Sequence, residues 1–132
     1  MKQDMELIKI MLQTLADNDN YYMKLDIFAK QMQEKTGTKE LYDDKLVGHF
    51  FLAKDAKLIE EFGVCFFVGP TFSTPAPANG GKIRITSQGL QFLEALNNKS
   101  IFKKIKNFSI GLATNVGTGL LTQYISGKLH LP

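Results

Sequence analysis

A chain of 132 residues with 44% apolar side chains can bury a sizeable core as one small domain with a modest appendage. Its single cysteine, Cys65, excludes an intramolecular disulfide framework. The formal charge of +3 conceals a division: residues 1–66 carry 9 Lys against 12 Asp and Glu, while residues 67–132 carry 6 Lys and one Arg against one acid, Glu94.

In chain order, Asp4 to Asp17 sets Met5, Ile8, Met11, Leu12 and Leu15 on one face of a helix, with Asp4 as its N-cap. The opening residues are interrupted by Asp4, Glu6 and Lys9, so they lack the unbroken apolar core of a signal peptide, and a cytoplasmic protein is expected. Residues 17–20 (DNDN) end the helix, and Tyr21 to Leu25 reads as a short extended piece. Asp26 is expected to cap a second helix from Ile27 to about Lys35, with Phe28, Ala29 and Met32 inward, broken by Thr36, Gly37 and Thr38. A third helix should start at Asp43, with Leu46, Phe50 and Ala53 along one row and Leu52, Ala56 and Ile59 along its neighbour.

Leu58 to Phe62 and Val64 to Val68 read as a strand bent at Gly63, with Cys65 as a buried structural thiol. Gly69 to Gly81 has loop composition and no charge. Lys82 to Thr86 alternates Ile83 and Ile85 against Lys82, Arg84 and Thr86, the period of a strand with one buried face. Ser87 is expected to cap a fourth helix carrying Leu90, Leu93 and Leu96. A fifth helix spans roughly Ser100 to Phe108, with Ile101, Phe102 and Ile105 set among lysines. Phe108, Leu112, Val116, Leu120 and Tyr124 then predict a C-terminal amphipathic helix, weakened or interrupted near Gly117 and Gly119.

The order of these elements is that of an α+β winged helix-turn-helix, a three-helix core plus β-wing with additional C-terminal helices. LVGHFFLAKDAKLIEE and KIRITSQGLQFLEAL, with the opening MKQDMELIKIML, resemble the pattern of a family of small winged-helix proteins of uncharacterised function from bacteria, phages and prophages. The resemblance covers most of the chain and implies the winged-helix fold and a phage setting, with no catalytic residues. Lys57 stands where the family pattern has a glycine ending the third helix. Residues 1–98 are expected to form the winged-helix domain. Residues 99–132 form a basic segment and a Gly-containing helix that packs on the domain or on a dimer partner.

A winged helix ordinarily puts its third helix in the major groove of DNA and its wing on phosphates. On that reading Lys45, Gly48 and Phe51 contact the groove, Lys82 and Arg84 contact phosphate, and Lys99, Lys103, Lys104 and Lys106 form a supplementary backbone clamp. Asp43 and Asp44 oppose such binding, although helix capping accounts for both. The alternative is a module that docks a host protein through Tyr42, Val47, Phe51 and Phe72, with Val47 and Phe51 expected to be exposed. A homodimer through the terminal helices is expected on either reading. The uncharged stretch Asn107 to Gly127 is too polar to span a bilayer, and peripheral membrane attachment through residues 99–127 is a weaker expectation.

Catalytic signals are nearly absent. Ser126-Gly127-Lys128 fails as a phosphate-binding loop because Thr122 occupies the first glycine position and Leu129 replaces the magnesium-binding hydroxyl. Gly117-Thr118-Gly119 lacks the preceding strand and third glycine of a dinucleotide site. His49 and His130 have no Cys or acid at ligand spacing, so no metal and no cofactor is expected, and His49 reads as a satisfied core histidine.

Overall fold

The computed structural model describes residues 2–70 and 75–127, an α+β arrangement with six helices and a small antiparallel sheet among them. Helix α1 (Met5–Ala16) is capped by Asp4, whose carboxylate accepts from the Leu7 N–H at 3.2 Å. Its predicted stripe is buried, and Leu7 and Thr14 widen the face. Strand β1 (Met23–Lys24) runs straight into helix α2 (Leu25–Thr36). Asp26 therefore lies inside the first turn and does not cap the helix. The reason is tertiary: Leu25 is buried, and its N–H donates to Gly81 O at 3.0 Å, which leaves the chain no slack to begin the helix later. Gly37 ends α2 at φ 70°, a left-handed conformation that glycine adopts without Cβ strain.

Helix α3 (Asp44–Asp55) starts one residue after its cap, Asp43, which accepts from Leu46 N–H at 2.9 Å. Leu46, Val47, His49, Phe50 and Ala53 form its buried face. Lys57 turns the chain out of the helix at φ 62°, so this lysine holds the left-handed geometry that suits glycine. Ile59 does not continue the helical row; it opens strand β2 (Ile59–Phe62).

The predicted single bent strand is two strands in different sheets. Gly63, at φ 74°, separates β2 from β3 (Phe66–Phe67). β3 pairs with β4 (Ala76–Pro77), a short strand within the stretch expected to be loop. Strand β5 (Lys82–Ile85) joins β1 on one side and β2 on the other, both antiparallel, with Met23 opposite Ile83 and Ile59 opposite Ile85. Ile83 is fully buried, as its alternation predicts, and Ile85 is half-buried.

Helix α4 (Ser87–Asn97) is capped by Thr86 and not by Ser87: the Thr86 hydroxyl accepts from Gly89 N–H at 2.9 Å and lies 2.7 Å from the Lys57 carbonyl, to which it donates. Gly89 presses on the turn after α3, where a Cβ would stand 2.1 Å from Leu58 O. That contact rotates the helix so that Phe92, Leu93, Ala95 and Leu96 face inward and Leu90 is exposed, against expectation. Asn98 caps α5 (Lys99–Ile105), accepting from Ser100 N–H and Ile101 N–H at 3.1 Å each.

Helix α6 (Ile110–Ile125) is continuous through Gly117 and Gly119, so the expected interruption does not occur. Its buried face is Ile110, Ala113, Thr114 and Gly117, while Leu112 and Tyr124 are exposed. A strict four-residue repeat drifts by about 40° per step around an α-helix, so the predicted row winds off the packed face. Packing selects Gly117 instead, where a Cβ would stand 2.9 Å from Ile105 Cδ1 and 3.5 Å from Ala95 Cβ.

Candidate functional site

The N-terminal end of α3 is a locked polar cluster. Asp4 caps α1 with one carboxylate oxygen and holds Lys45 Nζ at 2.7 Å with the other. The hydrogen bond from Lys45 holds the Asp4 carboxyl below its ordinary value of 3.8. Beneath them His49 is fully buried. Its Nε2 accepts from the Asp4 N–H at 2.8 Å, which places the ring proton on Nδ1 to donate to Lys45 O at 2.7 Å. His49 therefore satisfies two backbone groups inside the core and joins α1 to α3.

The other predicted groove residues are less available than their spacing suggests. Val47 was expected on the surface but is only 6% exposed, because α3 turns it into the core beside Leu46 and Phe50. Phe51 is half-buried, 5.4 Å from the Phe50 ring and 5.7 Å from Phe66, with Lys54 over its face at 6.0 Å. Tyr42 is half-buried with its ring 6.1 Å from Phe66. Burial raises the Tyr42 phenol above its ordinary 10.0. Gly48 is half-buried. The acids Asp43 and Asp44 flank this end of the helix, one as cap and one exposed in the first turn.

The sheet also satisfies its own charges. Arg84 pairs with Glu60 opposite it on β2, and its guanidinium lies 5.1 Å from the Tyr21 ring. Lys54 pairs with Glu61; burial pushes the Glu61 carboxyl up, but the Lys54 hydrogen bond and charge outweigh it and hold it below 4.5. Lys82 is half-buried and takes no part in these pairs. Cys65 is buried, and desolvation followed by the charge of Glu61 pushes its thiol up to about 12, so it is no nucleophile.

Apolar groups are open where charges are not. Phe62, Val64, Phe67 and Val68 are 60%, 54%, 51% and 67% exposed. Tyr21 extends the surface: its ring is 4.9 Å from Tyr22, which is 5.4 Å from Phe62. A single strand from Leu58 to Val68, bent at Gly63, does not show which of its side chains are exposed. Its apolar character and the bend at Gly63 are visible in the sequence, but not that Phe66 is buried beside Cys65 while Phe62, Val64, Phe67 and Val68 reach solvent. Phe72 lies outside the described residues.

Lys99, Lys103, Lys104 and Lys106 are all exposed on or at the end of α5, and none joins the three ion pairs found among the described residues. Phe102 between them is half-buried under Lys9, whose Nζ is 5.4 Å from the ring. Lys106 borders a shallow groove shared with Lys2, Asp4, Glu6, Asp44 and Lys45. The structure thus brings one clamp lysine, Lys106, near the front of α3, while Lys82 and Arg84 lie apart from that groove on β5.

Among the described residues no group of three or more His, Cys, Asp or Glu side chains could hold a metal ion; His130 lies outside them. No helix there is long and apolar enough to cross a membrane. No family model matches the chain, and no curated protein or solved structure matches it.

Proposed function

We propose that the chain is a winged-helix module that has been turned from DNA recognition toward docking a protein partner through its wing. The element order from α1 through β1, α2, α3, β2 and β5, with sheet order β1-β5-β2, supports the fold reading. Phe62, Val64, Phe67 and Val68 then lie in the wing, and their exposure is the observation that carries the proposal. Four large apolar side chains kept in water within one short segment are the composition of a contact surface. The charge pattern points the same way. A duplex is held by cations that neutralise phosphate, whereas Lys45, Lys54 and Arg84 are already neutralised by Asp4, Glu61 and Glu60. In the phage setting that the sequence resemblance implies, the partner is a host protein.

The test is complex formation. Wild-type protein should retain a stoichiometric partner through size exclusion, Phe62→Ser with Phe67→Ser should lose it without changing the thermal midpoint, and Lys45→Ala should keep it. A sequence-specific duplex complex that disappears with Lys45→Ala, or with Lys82→Ala plus Arg84→Ala, would replace this reading by the DNA-binding one. The exposed Leu112, Tyr124 and Ile125 of α6 support self-association as a separate proposal, which sedimentation equilibrium decides.

A further inference from the structure

The lysines of α5 have no role in protein docking through the wing, and their surroundings point to a second ligand. Lys99, Lys103 and Lys106 recur at four- and three-residue intervals and so share one face of the helix, with Lys104 beside them. The row spans about 10 Å at the α-helical rise. Glu94 is the last acid in the sequence, so α5 and α6 bring no acid of their own after it; Asp4, Glu6 and Asp44 border the same groove as Lys106 but join it in none of the three ion pairs among the described residues.

The row is also held in place. Asn98 caps the helix, Ile101 and Ile105 are fully buried beneath it, and Gly117 lets Ile105 seat against α6. The backbone beneath the row is already ordered, so only the lysine side chains lose conformational freedom when they meet a polyanion. An anionic lipid surface fits less well, because interfacial helices insert apolar side chains. On α5 Ile101 and Ile105 are inaccessible, and Phe102 is half-buried under Lys9.

We propose that α5 is a sequence-independent binding site for the phosphate backbone of double-stranded DNA, distinct from the wing. The ligand is a duplex because its two strands present the densest regular array of phosphates to a helical row of cations. Phosphate contacts carry no sequence information, so binding through the row depends on charge and not on sequence. Together with a protein-docking wing, such a site would hold the partner near DNA.

The experiment is fluorescence anisotropy of the full chain with a labelled random-sequence duplex at low salt. Four neutralised phosphates give a salt slope of about −3.6, hence roughly a hundredfold weakening between 50 and 200 mM salt. Changing Lys99, Lys103, Lys104 and Lys106 together to Gln should abolish binding, whereas changing all four to Arg should preserve it. Two duplexes of unrelated sequence should bind alike. Absence of binding, binding that survives the Gln substitutions, or stronger binding to anionic vesicles or polyglutamate than to duplex would each overturn the proposal. The Phe62→Ser, Phe67→Ser protein should bind duplex like wild type, so failure of the wing reading and failure of this one are told apart.

Discussion

The front of the molecule, α3 with the β1-β5-β2 sheet, and its rear, α4 to α6, use charge in opposite ways. At the front each of three cations has an acid of its own: Lys45 with Asp4, Lys54 with Glu61, Arg84 with Glu60. At the rear four lysines stand on one short helix with no ion-pair partner among the described residues. Paired surface charges add little stability and lower the local field, while unpaired charges of one sign maintain it. The contrast teaches that the cations around α3 and the sheet are largely neutralised by acids, while those on and beside α5 are not.

The largest expected effect comes from breaking the joint between the two regions. Gly89 on α4 lies against the turn after α3, and the Cβ of Gly89→Ala would stand 2.1 Å from Leu58 O and 2.7 Å from Ile85 Cγ1. Because the obstacle is backbone, the helix must move, at a cost of about 3 kcal/mol or more in chemical denaturation. A loss under about 1 kcal/mol would show that α4 can slide on the front of the fold without cost.

A smaller and opposite effect is expected at Lys57, where the front turns into the sheet at φ 62°. Relief of the left-handed strain in Lys57→Gly exceeds the extra freedom glycine gives the unfolded chain, so a gain of about 0.5 kcal/mol and a higher thermal midpoint follow. A lower midpoint would mean that the lysine side chain does something at the turn that outweighs its strain.

The smallest effect concerns the front's neutralised charge. Asp4→Asn keeps a good capping side chain but loses the pair with Lys45, which as a partly exposed contact contributes about 0.3 kcal/mol. Since the folded-state pKa of Asp4 lies below its ordinary 3.8, the wild type's advantage is present above that value and disappears as pH falls through the folded pKa. Parallel acid-unfolding curves for the two proteins, with the same difference at pH 7 and pH 2, would contradict this account.

How much of the molecule could be read beforehand follows from the range of the interactions. The inward faces of α1 and α2, the alternation of β5 and the caps at Asp4 and Asp43 are local patterns, closed within three or four residues, and they were legible. Leu90, Leu112 and Val47 were misplaced because helical spacing defines a face but not its rotation against neighbours. Gly89 against Leu58 and Gly117 against Ile105 set that rotation for α4 and α6. The candidate site was less legible than the fold. Lys45 and Arg84 are expected from the sequence to contact nucleic acid, but Asp4 and Glu60, which pair with them, are distant in sequence.

By itself the sequence determined the order of the six helices with β1, β2 and β5 among them, the division between an acidic first half and a basic second half, and the inertness expected of Cys65 in an apolar run. Those properties depend on composition and short-range periodicity, which survive in a one-dimensional reading. Tertiary structure alone decided which cations are spent on acids, which remain free, and which apolar side chains of the run 62–68 reach water. Each of these is fixed by a contact between segments that only folding brings together.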